Sequence, residues 1–132
     1  GPLKERVLKA KSSKVAYLGR LNSPDVAKLL CDSDVLCLPS RSEGFCTTLL
    51  EASACATASI TTDVGGAREL IPNSEYGIII PDANPATISD AICFAADHAE
   101  ELELMGQNSC LRVRDEYSWR STAVSLLDAF DA

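Results

Sequence analysis

The sequence has few of the residues that build metal sites and dinucleotide sites. It contains one histidine, His98, and none of its six cysteines forms a C-x-x-C pair. The gaps between the cysteines match no common zinc pattern, so a structural zinc site is not expected. No G-x-G-x-x-G occurs, which argues against a dinucleotide-dependent dehydrogenase.

Long apolar runs and net positive charge are also absent. No apolar stretch reaches the roughly 18 residues of a membrane helix, and no signal peptide is recognised at the start. The formal net charge is −7, which argues against non-specific binding to nucleic acid or anionic lipid. One small anionic ligand is still allowed, because backbone amides can hold a phosphate without net positive charge.

The cysteines lie in apolar or helical stretches rather than in short loops. This placement favours reduced, buried thiols that act as small hydrophobic groups over a disulfide framework. The sequence therefore predicts a cytoplasmic protein.

Short apolar runs alternate with amphipathic segments along the chain. Strands are predicted at 15–19, 34–39, 58–62 and 77–81. Helices are predicted at 3–11, 23–31, 47–55, 67–70, 85–97, 100–116 and from Ser118 onwards. This alternation predicts one α/β domain over residues 1–132, with a Rossmann-like parallel sheet flanked by helices. In such sheets, ligands bind at the carboxyl ends of the strands.

The last predicted helix has an apolar stripe. The stripe recurs at helical spacing at Trp119, Ala123, Leu126, Leu127 and Phe130. Such a pattern predicts a helix that packs one face against the sheet.

Residues 39–44 join a predicted buried strand to a predicted helix. Amide groups at the start of a helix, together with the helix dipole, favour a phosphate at such a junction. Gly44 allows a close turn, and Thr47 and Thr48 can add hydroxyl donors. The segment is therefore a predicted phosphate-binding loop.

Two carboxylates flank this loop. Glu43 comes just before the helix, and Glu51 lies two turns into it. Carboxylates are poor neighbours for phosphate but good acceptors for paired sugar hydroxyls. A nucleotide sugar fits this spacing, with Glu43 on the transferred sugar and Glu51 on the ribose. Alternatively, Glu43 is a first-turn helix charge and Glu51 a solvated helix residue, and the spacing alone does not decide.

Several ordered motifs resemble one protein family. They lie at 34–40, 43–45, 50–52, 54–55, 62–66, 69–71, 77–81 and 117–119. Their order and spacing resemble the C-terminal donor-binding domain of GT-B retaining glycosyltransferases, most of all the group 1 family, also called family 4. That family has a Glu-x7-Glu motif, which Glu43 and Glu51 match. The resemblance covers nearly the whole chain and implies an incomplete GT-B C-terminal domain.

The resemblance implies a role for each matching residue. Glu43 is similar to the catalytic-site glutamate that contacts the donor sugar, and Glu51 to the glutamate that binds the ribose. Arg20 and Leu21 follow the strand after which the family contacts the base. The backbone that holds the diphosphate is represented by Gly44, Phe45, Cys46, Thr47 and Thr48.

The resemblance also implies the chemistry. The family uses no metal and no cofactor, and its substrate is a nucleotide sugar such as a UDP- or GDP-sugar. Transfer retains the anomeric configuration. Basic side chains and the helix terminus stabilise the leaving diphosphate.

The sequence departs from the family pattern in the phosphate loop. The family usually has glycine at the position of Cys46, so the loop is expected to be altered. Thr47 and Thr48 also stand where proline or apolar residues are more usual.

A larger departure is at the start of the chain. Residues 1–5 resemble the end of the family's second strand, so the first strand, a basic pair that neutralises the diphosphate, and the N-terminal acceptor domain are expected to be missing. The chain is thus expected to be an inactive fragment of a hexosyltransferase. Its exposed sheet edges would favour dimerisation or strand exchange. A longer parent protein could lie at the periphery of a membrane.

Two other functions are kept as alternatives. A GT-B nucleotide-sugar 2-epimerase shares the architecture. A non-catalytic domain that binds a nucleotide sugar or another chain fits the altered loop.

Smaller motifs have simpler explanations. Asp32-Ser33-Asp34 is a D-x-D triplet, but a turn at a helix end is favoured over a metal site. Gly65-Gly66 is either a phosphate turn or a tight turn. Arg41 and Arg68 are candidate phosphate partners or surface ion pairs. Cys46, near a helix start, is a candidate for a lowered thiol pKa.

Overall fold

The computed structural model describes residues 4–9 and 14–130. The strands are β1 (Val35–Leu38), β2 (Ala58–Thr62) and β3 (Ile78–Ile80). The helices are α1 (Lys4–Lys9), α2 (Ser23–Cys31), α3 (Thr47–Ala54), α4 (Ala67–Leu70), α5 (Pro85–Asp97), α6 (Ala99–Glu116) and α7 (Trp119–Phe130). The alternation confirms the predicted α/β fold, although both ends of the first predicted helix lie outside the described residues.

The three strands form one parallel sheet in the order β1-β2-β3. Val35 is in register with Ala58, and Ile60 is in register with Ile78. Parallel neighbours bring the carboxyl ends of β1 and β2 to the same edge of the sheet. The loops that follow these two strands are therefore adjacent.

Alternate strand residues face two separate cores. On one face, Ile60 and Ile80 pack with α5 and α6 through a cluster that includes Leu102 and Met105. On the other face, β1 and β3 pack against a cluster of Cys46, Leu49, Ala67, Leu70 and Ile71 from α3, α4 and the adjoining loops. A sheet covered on both faces favours continuous apolar strands, which β1 and β3 show. The central strand β2 departs from this pattern, because Ser59, Thr61 and Thr62 are polar and buried.

Burial differs between the central strand and the edge strands. Every residue of β2 is buried, whereas all four residues of β1 are only half-buried. The parallel strand predicted at 34–39 is confirmed over Val35–Leu38, but its residues are half-buried rather than buried. The reason is that β1 has a strand neighbour on one side only among the described residues.

Asparagine side chains begin two of the helices. Asn22 accepts a hydrogen bond from the amide of Asp25 at 2.9 Å and caps α2. Asn84 accepts from the amide of Ala86 at 3.0 Å and caps α5, as predicted. In both helices a proline follows in the first turn, where its missing N–H has no partner to lose.

The predicted strand at 15–19 is not present. These residues have no strand assignment and all five are exposed. A strand is stable only when a neighbour satisfies its backbone groups, and no described strand lies beside this segment. The apolar run from Val15 to Leu18 therefore has the composition of a strand, but no described strand pairs with it.

The apolar stripe of α7 does not pack against the sheet. Trp119 is 91% exposed and Phe130 is 86% exposed, and α7 has no buried residue. Helical periodicity predicts that a helix has an apolar face but not what covers it. The prediction of a helix is confirmed, but the prediction that its apolar stripe packs against the sheet was wrong.

Helix α6 passes very close to the end of α3. A Cβ atom on Gly106 would meet the carbonyl group of Ala56 and lie 3.3 Å from the amide nitrogen of Ala58. Ala56 has a φ of 57°, a left-handed turn that ends α3 and points the chain into β2. Only glycine at position 106 allows this approach of helix to backbone.

We expect Gly106→Ala to lower the free energy of unfolding by about 1–3 kcal/mol, because the new methyl group meets a rigid backbone carbonyl. Urea unfolding followed by circular dichroism measures the change. Gly44→Ala is the control, since a Cβ there meets nothing within 4 Å. Equal stability of the two variants would show that α6 does not need this close approach.

Candidate functional site

The carboxyl ends of β1 and β2 are joined by two threonine hydroxyls. Thr61 donates from Oγ1 to the carbonyl oxygen of Leu38 at 3.0 Å. Thr62 donates from Oγ1 to the carbonyl oxygen of Ser40. Both threonines are buried at the sheet edge, so the start of the loop after β1 is held to the end of β2.

Glu43 is oriented by this anchored segment. Its Oε1 accepts a hydrogen bond from the Ser40 hydroxyl at 2.6 Å, and the residue is exposed. Glu43 was predicted as a site residue from the sequence, whereas Ser40 and Thr62 were not. Hydroxyl residues at strand ends are common, and only the neighbouring positions of β1 and β2 show that these two act together.

The Gly65-Gly66 turn packs directly on the loop that contains Glu43. Gly65 has a φ of 55°, and a Cβ there would meet the carbonyl oxygen of Gly44 and lie 3.1 Å from Cβ of Glu43. A Cβ on Gly66 would lie 2.8 Å from the Phe45 ring. The turn is therefore a tight structural contact, and it lies at the edge where a ligand is expected.

The first turn of α3 leaves amide groups available. The carbonyl oxygen of Cys46 accepts from the amides of Leu49 and Leu50, and the Thr47 amide donates to Phe45. Within the described part of the chain, the amides of Gly44, Phe45 and Thr48 have no acceptor. Amides in this position can hold an anionic group, with help from the helix dipole.

Cys46 is accommodated by the core beneath the loop. It is the N-cap of α3 with φ −74°, a conformation open to residues other than glycine, and it is 2% exposed within the α3–α4 core. Whether cysteine alters the loop relative to the family pattern stays a prediction.

The thiol of Cys46 is not activated. Burial, with a smaller contribution from the negative charge of Glu43, raises the pKa of the Cys46 thiol. The helix terminus would lower this pKa, but desolvation of the thiolate outweighs it. The candidate role of Cys46 as a reactive thiol was therefore wrong.

Glu51 lies on the exposed side of α3. Thr47 and Glu51 are four residues apart, which places them on one face of the helix, and both are exposed. Thr48 is half-buried. Glu43, the open amides and Glu51 thus follow one another along the loop and the exposed part of α3, as one strip within residues 43–51.

Arg20 and Leu21 are not brought into this strip by any described contact. They precede Asn22, the cap of α2, and Arg20 is exposed while Leu21 is half-buried. No hydrogen bond or ion pair among the described residues joins either of them to residues 40–51. Their part in the site remains a prediction.

The two candidate phosphate-binding arginines, Arg68 and Arg41, differ in whether they form an ion pair. Arg68 forms an ion pair with Asp63 at 3.0 Å, and both side chains are about half exposed or more. Exposed pairs of this kind contribute little stability. Arg41 is exposed and has no ion pair among residues 4–9 and 14–130.

Asp32 is the C-cap of α2, which agrees with a turn role for the D-x-D triplet.

Two cavities of about 490 and 680 Å³ lie away from this strip. The first is lined by residues around β3 and Phe94, and the second by residues around Val35 and Ile92. Neither is lined by any residue of 40–51.

Sequence comparison identifies the family. The family model described as "Glycosyl transferases group 1" matches residues 2–111, so the chain belongs to this family. A D-inositol 3-phosphate glycosyltransferase of Paenarthrobacter aurescens is 31% identical over 108 residues, which are 82% of this chain and 26% of that protein. An MMP alpha-(1->4)-mannosyltransferase of Mycolicibacterium hassiacum is 25% identical over 99% of this chain and 32% of its own length. The chain thus spans about a quarter to a third of these relatives.

Solved structures confirm the GT-B glycosyltransferase fold. A sucrose-phosphate synthase from Thermosynechococcus elongatus has a TM-score of 0.86 at 23% identity, covering 98% of this chain and 33% of that one. Anabaena HepE, solved in complex with UDP-glucose, has a TM-score of 0.83 at 16% identity, with 98% and 36% coverage. An isolated C-terminal domain of a group 1 glycosyl transferase from Francisella tularensis has a TM-score of 0.72 at 23% identity, with 89% and 62% coverage.

We expect Cys46 to react with iodoacetamide at least about tenfold more slowly than Cys93, because alkylation needs an accessible thiolate and Cys93 is exposed. Peptide mass spectrometry after timed labelling measures both rates in one sample. In urea the two rates should converge. Equal rates in the folded protein would mean that Cys46 is not held in the core.

Proposed function

We propose that this chain is the donor-binding part of a hexosyltransferase that transfers a sugar from a nucleotide sugar to an acceptor with retention. Residues 1–132 would form part of the C-terminal GT-B domain. The main supporting observation is the strip in which Glu43, open amides and Glu51 follow one another at the carboxyl edge of the sheet. It matches the sugar, diphosphate and ribose of a nucleotide sugar in order.

Glu43 would bind the transferred sugar. Its Oε1 is occupied by the Ser40 hydroxyl, and no described residue donates to Oε2. A carboxylate has acceptor sites on both oxygens, so Oε2 can accept from a sugar hydroxyl while Ser40 fixes the orientation of the group. The packing of Gly65 under the loop adds a second restraint on the same carboxylate.

The diphosphate would lie on the start of α3. The amides of Gly44, Phe45 and Thr48 and the hydroxyls of Thr47 and Thr48 are the donors available there. Cys46 would contribute its backbone and not its buried thiol. Fixed dipoles aimed at the diphosphate stabilise the negative charge that grows as the sugar–phosphate bond breaks.

The nucleoside would extend along α3. Glu51 is exposed four residues after Thr47 and can accept from both ribose hydroxyls. Arg20 and Leu21 would contact the base. The donor would be a UDP- or GDP-sugar, and binding would need neither a metal nor another cofactor.

The relatives are three to four times as long as the part that this chain matches, so the proposal includes a further domain as a partner. We propose that an acceptor-binding domain, of the kind expected in a full-length relative, completes the enzyme and chooses the acceptor. In the isolated chain, the edge of β1 that has no described neighbour would support dimerisation or strand exchange. The acidic net charge argues against a nucleic-acid partner.

None of the helices formed by residues 4–9 and 14–130 is long and apolar enough to cross a membrane. We propose a cytoplasmic enzyme whose longer form lies at the periphery of a membrane.

Of the two alternatives, the epimerase receives less support, because the relatives described above are named glycosyltransferases. The non-catalytic binding domain stays an alternative that the departure from the family pattern at Cys46 supports.

Isothermal titration of the chain with UDP, GDP and their sugars tests the donor site. We expect one nucleotide to bind, and Glu51→Ala to weaken it by roughly 10- to 100-fold, because the charged acceptor for the ribose is lost. Glu100→Ala, which removes an exposed glutamate from α6, is the matched control and should leave the affinity unchanged. An absence of binding at millimolar ligand would contradict a donor site formed by these residues alone.

The same titration tests metal independence. We expect the affinity to agree within about twofold in Mg²⁺ and in EDTA, because protein amides and hydroxyls, rather than a metal ion, would hold the diphosphate. Loss of binding in EDTA, restored by added Mg²⁺, would contradict the proposed arrangement of donors.

A further inference from the structure

Three cysteines lie where helices α2, α3 and α6 meet. Cys31 is the last residue of α2, Cys55 is the C-cap of α3, and Cys110 lies in α6. Cys31 is exposed, and the other two are half-buried. Nothing in the proposed donor site uses these thiols, so their proximity needs a separate account.

Two contacts hold the end of α2 against the chain that leaves α3. The Cys55 Sγ lies 3.6 Å from the carbonyl oxygen of Ala27, one helical turn before Cys31. The Thr57 hydroxyl donates to the carbonyl oxygen of Leu30, the residue just before Cys31, at 2.8 Å. Cys31 is thus flanked by both contacts. Side chains of a helix lean back over the preceding turn, so the Cys31 side chain lies over the turn of Ala27, whose carbonyl group the Cys55 thiol contacts.

The two thiols differ in access and in protonation. Burial raises the pKa of the Cys55 thiol to about 11, and its hydrogen bond with Cys31 and the nearby Cys110 and Glu51 add to the rise. Cys55 is therefore protonated at neutral pH and does not attack a reagent first. The exposed Cys31 is the thiol that a dissolved reagent meets.

We propose that Cys31 and Cys55 form a thiol modification site that low-molecular-weight disulfides oxidise to an intramolecular disulfide bond. The inference does not depend on the proposed donor site.

The reaction has two exchange steps. The Cys31 thiolate attacks one sulfur of glutathione disulfide, which forms a mixed disulfide and releases one glutathione. The Cys55 sulfur then attacks the Cys31 sulfur, releases the second glutathione and gives its proton to solvent. Two cysteine thiols are oxidised and one glutathione disulfide is reduced to two glutathione molecules.

The neighbouring position of Cys55 favours the second step although its pKa is high. An intramolecular partner acts at a high effective concentration, which dissolved thiols do not reach. A thiol of high pKa is also the more nucleophilic once it loses its proton. The resulting bond would join α2 to α3 one turn beyond Glu51.

Peptide mapping by mass spectrometry after treatment with glutathione disulfide tests the site. Cys93 is the internal reference, because it is exposed on α5. We expect Cys93 to retain glutathione and Cys31 to be linked to Cys55 without it. In Cys55→Ala, Cys31 should retain at least about tenfold more glutathione than in the unchanged chain.

Retention of glutathione on Cys31 to the same extent as on Cys93 in the unchanged chain would overturn the proposal. A bond from Cys31 to Cys110 instead of Cys55 would overturn it as well. If Cys55→Ala does not fold, Cys31→Ser at the exposed helix end replaces it, and Cys55 should then remain unmodified while Cys93 reacts. Since no nucleotide is present, a failed donor titration does not affect this result.

Discussion

The arrangement of the candidate site depends on the contact between Gly65 and the backbone of Glu43 and Gly44. No side chain larger than hydrogen fits between them, and the left-handed φ of Gly65 is one that glycine adopts without strain. Because β1 and β2 are parallel neighbours, the loops that follow them meet at one edge of the sheet. The hydroxyls of Thr61 and Thr62 donate hydrogen bonds to the end of β1 and to the start of the loop after it. The position of the Glu43 carboxylate is thus set by two loops that are far apart in the chain.

Features set by neighbours in sequence were predictable. The spacing of Glu43 and Glu51 is governed by one loop and the first turns of one helix, so the sequence was enough to place one before α3 and the other within it. That both bind one ligand stays a prediction. The capping asparagine Asn84 with the following proline, and the apolar runs of β1 and β3, also have local causes. Local geometry therefore accounts for the helices, for three of the four predicted strands and for the middle of the site.

Features set by distant partners were not predictable in the same way. The run 15–19 has a strand-like composition, but strand formation needs a partner for its amides and carbonyls. The stripe of α7 predicts an apolar face, and its exposure shows that nothing described covers Trp119. The hydrogen bond from Ser40 to Glu43 depends in turn on Thr62, which lies 22 residues away from Ser40. Periodicity contains no information about such pairings.

The cysteines show how position decides chemistry among residues of one type. Cys31, Cys46 and Cys55 all lie at or next to the ends of helices, and the sequence singled out Cys46 as the candidate reactive thiol. In the fold, Cys46 enters a core beside the charge of Glu43, and both surroundings oppose formation of its thiolate. Cys31 is exposed beside a second thiol, and that neighbour comes from another helix. A helix terminus alone therefore does not make a thiol reactive: access to solvent and a partner within reach have to be present as well, and both are properties of tertiary packing.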